Sequence, residues 1–96
     1  MFAVVRAYTG HNAEKLFDLL EKRKADVEKV IRGVKGFRAY TLIRTKEGGV
    51  TITVCDDKSG TDESLKVARA WIKKNAAEFG TDPPAVSKGK VILQLK

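Results

Sequence analysis

The chain has 96 residues, of which 43% are hydrophobic and 32% are charged, and its formal net charge is +7. This size predicts one domain over residues 1–96, and the composition is that of a soluble globular protein. No run of about 18 apolar residues is present, which excludes a transmembrane helix. The single cysteine, Cys55, excludes an intramolecular disulfide and fits a cytoplasmic protein.

The first two predicted elements are a strand and a long helix. Residues 2–8 (FAVVRAY) are rich in strand-forming residues and are followed by a Thr-Gly turn signal, which predicts a strand. From Asn12, which we take as an N-cap, apolar residues recur at helical spacing as far as Gly33. The spacing therefore predicts one continuous helix over 12–33.

A hairpin and a second helix follow. Residues 36–45 and 50–56 read as strands on either side of KEGG (46–49), where consecutive glycines indicate a hairpin turn. The second helix is predicted to start at SGTDES (59–64), with Thr61 as its cap.

The last part of the chain reads as a loop and a final strand. GTDPPAVSKG (80–89) is predicted to be a loop, because its two prolines cannot continue a helix. KVILQL (90–95) is predicted to be the strand. The resulting order βαββαβ predicts a ferredoxin-like α+β fold, a four-stranded antiparallel sheet with two helices on one face.

Strand residues alternate between the two faces of a sheet, so each predicted strand can be divided between them. The set that contains Ala3 and Phe37 is almost entirely apolar and is predicted to lie under the helices. The other set holds too many charges for a core, yet too much apolar surface to stay exposed, so we expect another molecule to cover it. It comprises Phe2, Val4, Arg6, Tyr8, Arg38, Tyr40, Leu42, Arg44, Thr51, Thr53, Cys55, Ile92 and Gln94.

Two occupants fit this mixed face: a second copy of the sheet, or stacked bases. VKGFRAYTLIR (34–44) resembles the basic-aromatic strand with which RNA-recognition domains stack bases. In those domains the motif lies on the third strand, whereas here it opens the second. We therefore favour a two-fold homodimer over nucleic acid. The interface candidates are Arg6, Tyr8, Arg38, Tyr40, Leu42 and Arg44.

Four short motifs mark the ends of elements: Val34-Lys35-Gly36-Phe37, Arg44-Thr45, Asp57 to Ser64, and Ala70-Trp71. With the βαββαβ order, they make the whole chain resemble the dimeric α+β barrel superfamily, and most closely its antibiotic-biosynthesis-monooxygenase-like families. The resemblance implies a homodimeric barrel. Members include cofactor-free oxygenases of quinone-forming type, haem-degrading enzymes, decarboxylases, isomerases and proteins with no known activity.

The resemblance also implies a pocket between helices and sheet that holds a planar aromatic molecule. Trp71 and Asn75 are four residues apart on one helical face, where they would stack on a ligand and hydrogen-bond its carbonyl; core packing is the alternative for Trp71. His11, the only histidine, is a third candidate, with an ordinary exposed loop position as its alternative. Arg6 or Arg44 would stabilise an anionic ligand only by reaching that pocket, and the face assignment places both on the opposite side.

No metal and no cofactor is expected. His11 and Cys55 form no ligand-spaced cluster. Haem-degrading relatives carry a histidine beyond the tryptophan of the second helix, and IKKNAAEFGTDPP (72–84) has none. The sequence favours a non-catalytic binding or accessory dimer, and leaves open whether the protein is an enzyme. The first alternative is a cofactor-free monooxygenase acting on an aromatic or polyketide-like molecule, and the second is nucleic-acid binding.

Overall fold

The computed structural model describes residues 1–95. Its four strands form one antiparallel sheet in the order β2-β3-β1-β4, and the helices cover one face of it. This confirms the predicted ferredoxin-like α+β architecture. In chain order the elements are β1 (Phe2–Tyr8), α1 (Ala13–Lys22), α2 (Lys24–Arg32), β2 (Phe37–Thr45), β3 (Gly48–Cys55), α3 (Lys58–Asn75), a 3-10 turn (Ala77–Phe79) and β4 (Ala85–Lys90).

The helix predicted over 12–33 is divided into two at Arg23. This residue has φ −111° and ψ 34°, outside the helical region, so α1 ends and α2 begins there. The Arg23 guanidinium bonds Asp26 and lies 5.5 Å from the ring centre of Trp71, which ties the break to α3. Asn12 makes no side-chain cap; its amide instead donates to the Phe79 carbonyl at 2.5 Å. The helical spacing of apolar residues continues across Arg23, so the sequence pattern does not reveal the break.

Helix α3 begins earlier than predicted, because Asp57 rather than Thr61 caps it. The Asp57 carboxylate accepts hydrogen bonds from the Ser59 hydroxyl at 2.6 Å and the Gly60 backbone N–H at 3.3 Å, and these bonds lower its pKa. The Thr61 hydroxyl donates to the Lys58 carbonyl, inside the first turn. Within residues 1–95, no helix is both long and apolar enough to cross a membrane.

Strand β4 lies five residues earlier than predicted. It pairs antiparallel with β1, with Ala85 opposite Ala7 and Lys90 opposite Phe2. All six of its residues are exposed, so the strand lacks the alternation that marks a half-buried one. The apolar residues that suggested a strand instead lie beyond the sheet and form an exposed C-terminal segment (91–95). Its Ile92, Leu93 and Leu95 are 94%, 74% and 83% exposed.

The two faces of the sheet are the reverse of the predicted assignment. Val4, Arg6 and Tyr8 are 0%, 3% and 4% exposed and face the helices, with Thr51 and Thr53 beside them on β3. The opposite face, which we call the open face, carries no charged and no aromatic side chain. Its residues are Ala3, Val5, Ala7, Ala39, Thr41, Ile43, Val50, Ile52, Val54, Ala85, Ser87 and Gly89.

A β-bulge at Arg38 shifts the alternation along β2. Phe37 pairs with Cys55 and Ala39 pairs with Val54, so Arg38 is an extra residue on β2. Phe37 and Tyr40 therefore lie on the same, helix-covered face, although strict alternation would separate them. The prediction that Phe37 faces the core is confirmed, and the predicted face of Tyr40 is wrong.

Candidate binding cavity

A cavity of about 30 Å³ lies between the sheet and the helices. This is room for about two water molecules. The sheet supplies polar side chains to its lining: Arg6, Tyr8, Tyr40 and Thr51. The helices supply apolar ones: Leu20, Val27, Val30, Ile31, Ala68, Trp71 and Ile72.

Arg6 places a positive charge in this cavity. Its Nη1 donates a 3.1 Å hydrogen bond to the Tyr8 hydroxyl, while its Nε is buried and has no hydrogen-bond partner in the protein. None of the ion pairs within residues 1–95 includes Arg6. The guanidinium is thus buried against neutral groups only, an arrangement that costs free energy of desolvation.

Two further polar groups meet Arg6 in the cavity. Thr51 is paired with Arg6 across β1 and β3, and its buried hydroxyl has no hydrogen-bond partner in the protein. Burial raises the pKa of the Tyr40 phenol, against the opposing effect of the Arg6 charge and hydrogen bond. Tyr40 is therefore a neutral hydrogen-bond donor. The cavity gathers a cation, a phenol and a hydroxyl in an otherwise apolar space.

A larger cleft of about 280 Å³ opens at the edge of the protein, between α2 and β2. It adjoins the cavity across shared wall residues: Leu20, Val27, Ile31 and Tyr40. Its other walls are Phe37, Leu42, Lys24, Glu28 and Arg32. The cleft is thus mainly apolar, and its two cations and one carboxylate give its lining a net positive charge.

The structure brings one of the three predicted pocket residues to the cavity. Trp71 lines it with its ring, while its indole N–H donates to Asp26 at 3.3 Å. Both ends of the Asn75 amide are used within the protein: Oδ1 accepts from Arg23 at 3.0 Å, and Nδ2 donates to the Trp71 carbonyl at 2.9 Å. His11 lies in an exposed loop beside Asn12, outside the residues that line the cavity and the cleft.

The six predicted interface residues do not lie on the open face. Four of them line the cavity or the cleft: Arg6, Tyr8, Tyr40 and Leu42. Arg38 sits at the bulge and pairs with Asp56, and Arg44 pairs with Asp18 and Glu21 of α1 at 2.9 and 3.0 Å. The basic-aromatic face that suggested base stacking is therefore covered by helices.

Side-chain size would have identified the correct face from the sequence. Ala3 and Ala7 are too small to fill the gap between a sheet and its helices, whereas Val4 and Tyr8 are large enough. Charge usually indicates the exposed face of a strand. That rule fails here because Arg6 lines a cavity inside the fold.

No family model and no curated protein sequence matches the chain. Solved structures do. The haem degrader MhuD from Mycobacterium tuberculosis is 18% identical with a TM-score of 0.69, over 100% of both chains. The cofactor-independent oxygenase SnoaB from Streptomyces nogalater is 18% identical with a TM-score of 0.67, over 98% of this chain and 95% of its own. A dimeric ferredoxin-like protein from an uncultured marine organism is 13% identical with a TM-score of 0.66, over 99% and 95%.

These similarities extend over nearly the whole chain at low sequence identity, so they concern the fold. The chain therefore has the ferredoxin-like fold of these proteins.

Proposed function

We propose that the protein is a homodimer that binds a small, largely apolar molecule and does not transform it. The main support for a dimer is the open face of the sheet, whose twelve positions hold no charged side chain. An uncharged, mainly apolar face of this kind marks an interaction surface. A similar structure of a dimeric ferredoxin-like protein supports the same assembly.

The area of the open face explains why the C-terminal segment belongs to the proposed interface. Four strands about 4.8 Å apart and roughly six residues long cover about 400 Å² in projection. A stable interface buries about 800 Å² on each partner. The exposed Ile92, Leu93 and Leu95 follow directly after β4 and supply further apolar surface.

The ligand-binding part of the proposal rests on the cavity and its cleft. Together they provide an apolar volume with a few converging polar groups, which is typical of small-molecule sites. The described lining of the inner cavity includes no carboxylate, imidazole or thiol, the groups that most often move protons in acid–base catalysis. Binding without turnover fits this lining best.

Native mass spectrometry of freshly purified protein tests both parts together. We expect the mass of a dimer, with a small molecule retained on part of the population. Ile52→Lys, which places a charge at the centre of the open face, should give a monomer. Ala70→Lys adds the same charge at an exposed position of α3 and should leave the dimer intact. Light scattering that shows a monomeric wild-type protein at micromolar concentration would contradict the dimer.

A cofactor-free oxygenase is the second candidate, and the position of Arg6 favours it. Such an enzyme needs a site that binds a phenol, stabilises its anion and orients it towards oxygen. The sequence placed Arg6 on the sheet face opposite the pocket, which counted against this mechanism. Arg6 instead lines the cavity. The similarity to SnoaB gives further support. Sustained oxygen uptake with 1-naphthol, with quinone and water as products, would replace the non-catalytic proposal.

A further inference from the structure

We propose that the inner cavity is an oxyanion site, in which Arg6, Thr51 and Tyr40 hold the carboxylate or phenolate head of an amphiphilic small molecule. The inference rests on the proposed binding function and adds the chemical class of the ligand. It makes the ligand an anion with an apolar body.

The buried charge of Arg6 is the first observation. An ionised side chain that leaves water normally has a partner of opposite charge, because its desolvation is otherwise uncompensated. Arg6 is 3% exposed, forms no ion pair within residues 1–95, and keeps its Nε without an acceptor. A ligand oxyanion supplies the missing acceptor, and the planar fork of a guanidinium matches the two oxygens of a carboxylate.

The arrangement of the neighbouring donors is the second observation. Arg6 and Thr51 occupy directly opposed positions on β1 and β3, so their Cβ atoms are about 5 Å apart. The Thr51 hydroxyl is also buried without a partner in the protein and lines the same cavity. Tyr40 adds a protonated phenol from β2. Cation, hydroxyl and phenol thus converge from three adjacent strands on one small space.

The shape and charge of the site indicate how the ligand lies. The inner cavity, at about 30 Å³, accepts the oxygens of a head group but not a ring system. The adjoining cleft of about 280 Å³ accepts the apolar body between Leu20, Ile31 and Leu42. Lys24 and Arg32 outnumber Glu28 around the cleft, which favours the approach of an anion.

Paired probes that share one ring system separate recognition of the anion from binding of the apolar body. Calorimetry measures the affinity of the protein for 2-naphthoate and for the neutral 2-naphthamide. We expect the wild-type protein to bind 2-naphthoate about tenfold more tightly or better, as a charge-assisted hydrogen bond provides. Arg6→Met should remove this preference and keep the affinity for 2-naphthamide. Thr51→Val, nearly equal in volume, should lower the affinity for 2-naphthoate several-fold.

Arg44→Met is the matched control. It removes an arginine whose partners are Asp18 and Glu21 on the surface, outside the cavity and the cleft, so the preference for 2-naphthoate should persist. Retained binding of 2-naphthamide by Arg6→Met shows that this variant is folded. Equal binding of the two probes by the wild-type protein, or an unchanged preference in Arg6→Met, overturns the oxyanion site and leaves the binding function standing. Binding of neither probe contradicts both.

Discussion

Arg6 and Tyr8, two residues apart on β1, are joined by a 3.1 Å hydrogen bond beneath the helices. Strand positions two apart share a face, which brings both side chains into the cavity. Because the tyrosine is neutral, the bond gives the guanidinium an acceptor without balancing its charge. At position 6, an apolar side chain of similar length would therefore make the protomer more stable than arginine does.

Replacing Arg6 by methionine should therefore stabilise the ligand-free protein. Removing the uncompensated charge is expected to raise the free energy of unfolding by about 1 kcal/mol or more, although the Tyr8 hydroxyl loses its donor. Urea unfolding monitored by circular dichroism measures this. Arg44→Met, at an exposed ion pair, should show little change. A less stable Arg6→Met protein would indicate that the charge is compensated inside the fold.

Tyr40 should make the protein less stable in alkaline solution. Burial raises its pKa above the ordinary 10.0, so the folded protein holds the phenol proton more tightly than the unfolded chain does. This contribution to stability is complete below pH 10 and is lost as the pH rises through the folded-state pKa. Unfolding free energies measured from about pH 9 to 11 should fall less steeply in Tyr40→Phe than in the wild-type protein. Equal slopes would contradict the burial of the phenol.

Gly49 should not tolerate even a methyl group. A Cβ there would lie 2.1 Å from Cε2 of Phe17, a ring that is 2% exposed. Gly49→Ala should therefore lower the free energy of unfolding by about 1–3 kcal/mol or more through overpacking. Gly33→Ala is the comparison, since a Cβ at Gly33 meets no atom closer than 3.5 Å and its φ of −75° suits alanine. Equal effects of the two substitutions in urea unfolding would refute the close packing of Phe17.

The C-terminal segment should contribute to dimer affinity and not to the fold of the protomer. Changing Ile92, Leu93 and Leu95 together to serine should raise the dissociation constant of the dimer about tenfold or more, because apolar area buried by the partner is lost. Analytical ultracentrifugation measures the constant, and circular dichroism should stay unchanged. Serine at the exposed α3 positions Lys66, Arg69 and Lys73 is the control. An unchanged dissociation constant would remove the segment from the interface.

Cys55 should react slowly with thiol reagents in the folded protein. It is fully buried, and burial together with the nearby Asp56 and Asp57 raises its pKa, so little thiolate forms near neutral pH. Release of nitrothiobenzoate from Ellman's reagent at pH 8 should be slow in buffer and rapid in urea. Rapid reaction in buffer would show that α3 opens readily above Cys55.

The sequence was sufficient to predict the order of the elements and insufficient to predict which way the strands face. Helical spacing and the hairpin signal in KEGG (46–49) are local, and they predict the βαββαβ order, although the turn itself is residues 46–47 and both glycines belong to β3. The division at Arg23 involves a contact with Asn75, which is far along the chain. The cap at Asp57 is a choice between two residues, Asp57 and Thr61, that can both cap a helix. Strand β4 was missed because an exposed edge strand shows no hydrophobic alternation.

The cavity could be predicted only in part, because its lining depends on which way the strands face. The resemblance pointed to Trp71, which does line it, but Asn75 and His11 have hydrogen-bond partners elsewhere. Arg6 is a possible anion ligand by its chemistry, but its charge predicts a position on the sheet face away from the pocket. A buried charge breaks the general rule that polar residues face solvent, and such exceptions are concentrated at functional sites.

The bulge at Arg38 has a consequence for how this chain tolerates mutation. Because side chains alternate with a period of two, deletion of the extra residue Arg38 would convert the bulge into a regular ladder, in which Phe37 and Ala39 keep their partners Cys55 and Val54. Tyr40 and Leu42 would still face the helices. Loss of Thr41, which lies in the regular part of the strand, would instead turn Leu42 over to the open face. A change of length by one residue is therefore expected to be tolerated at the bulge and to be harmful beyond it.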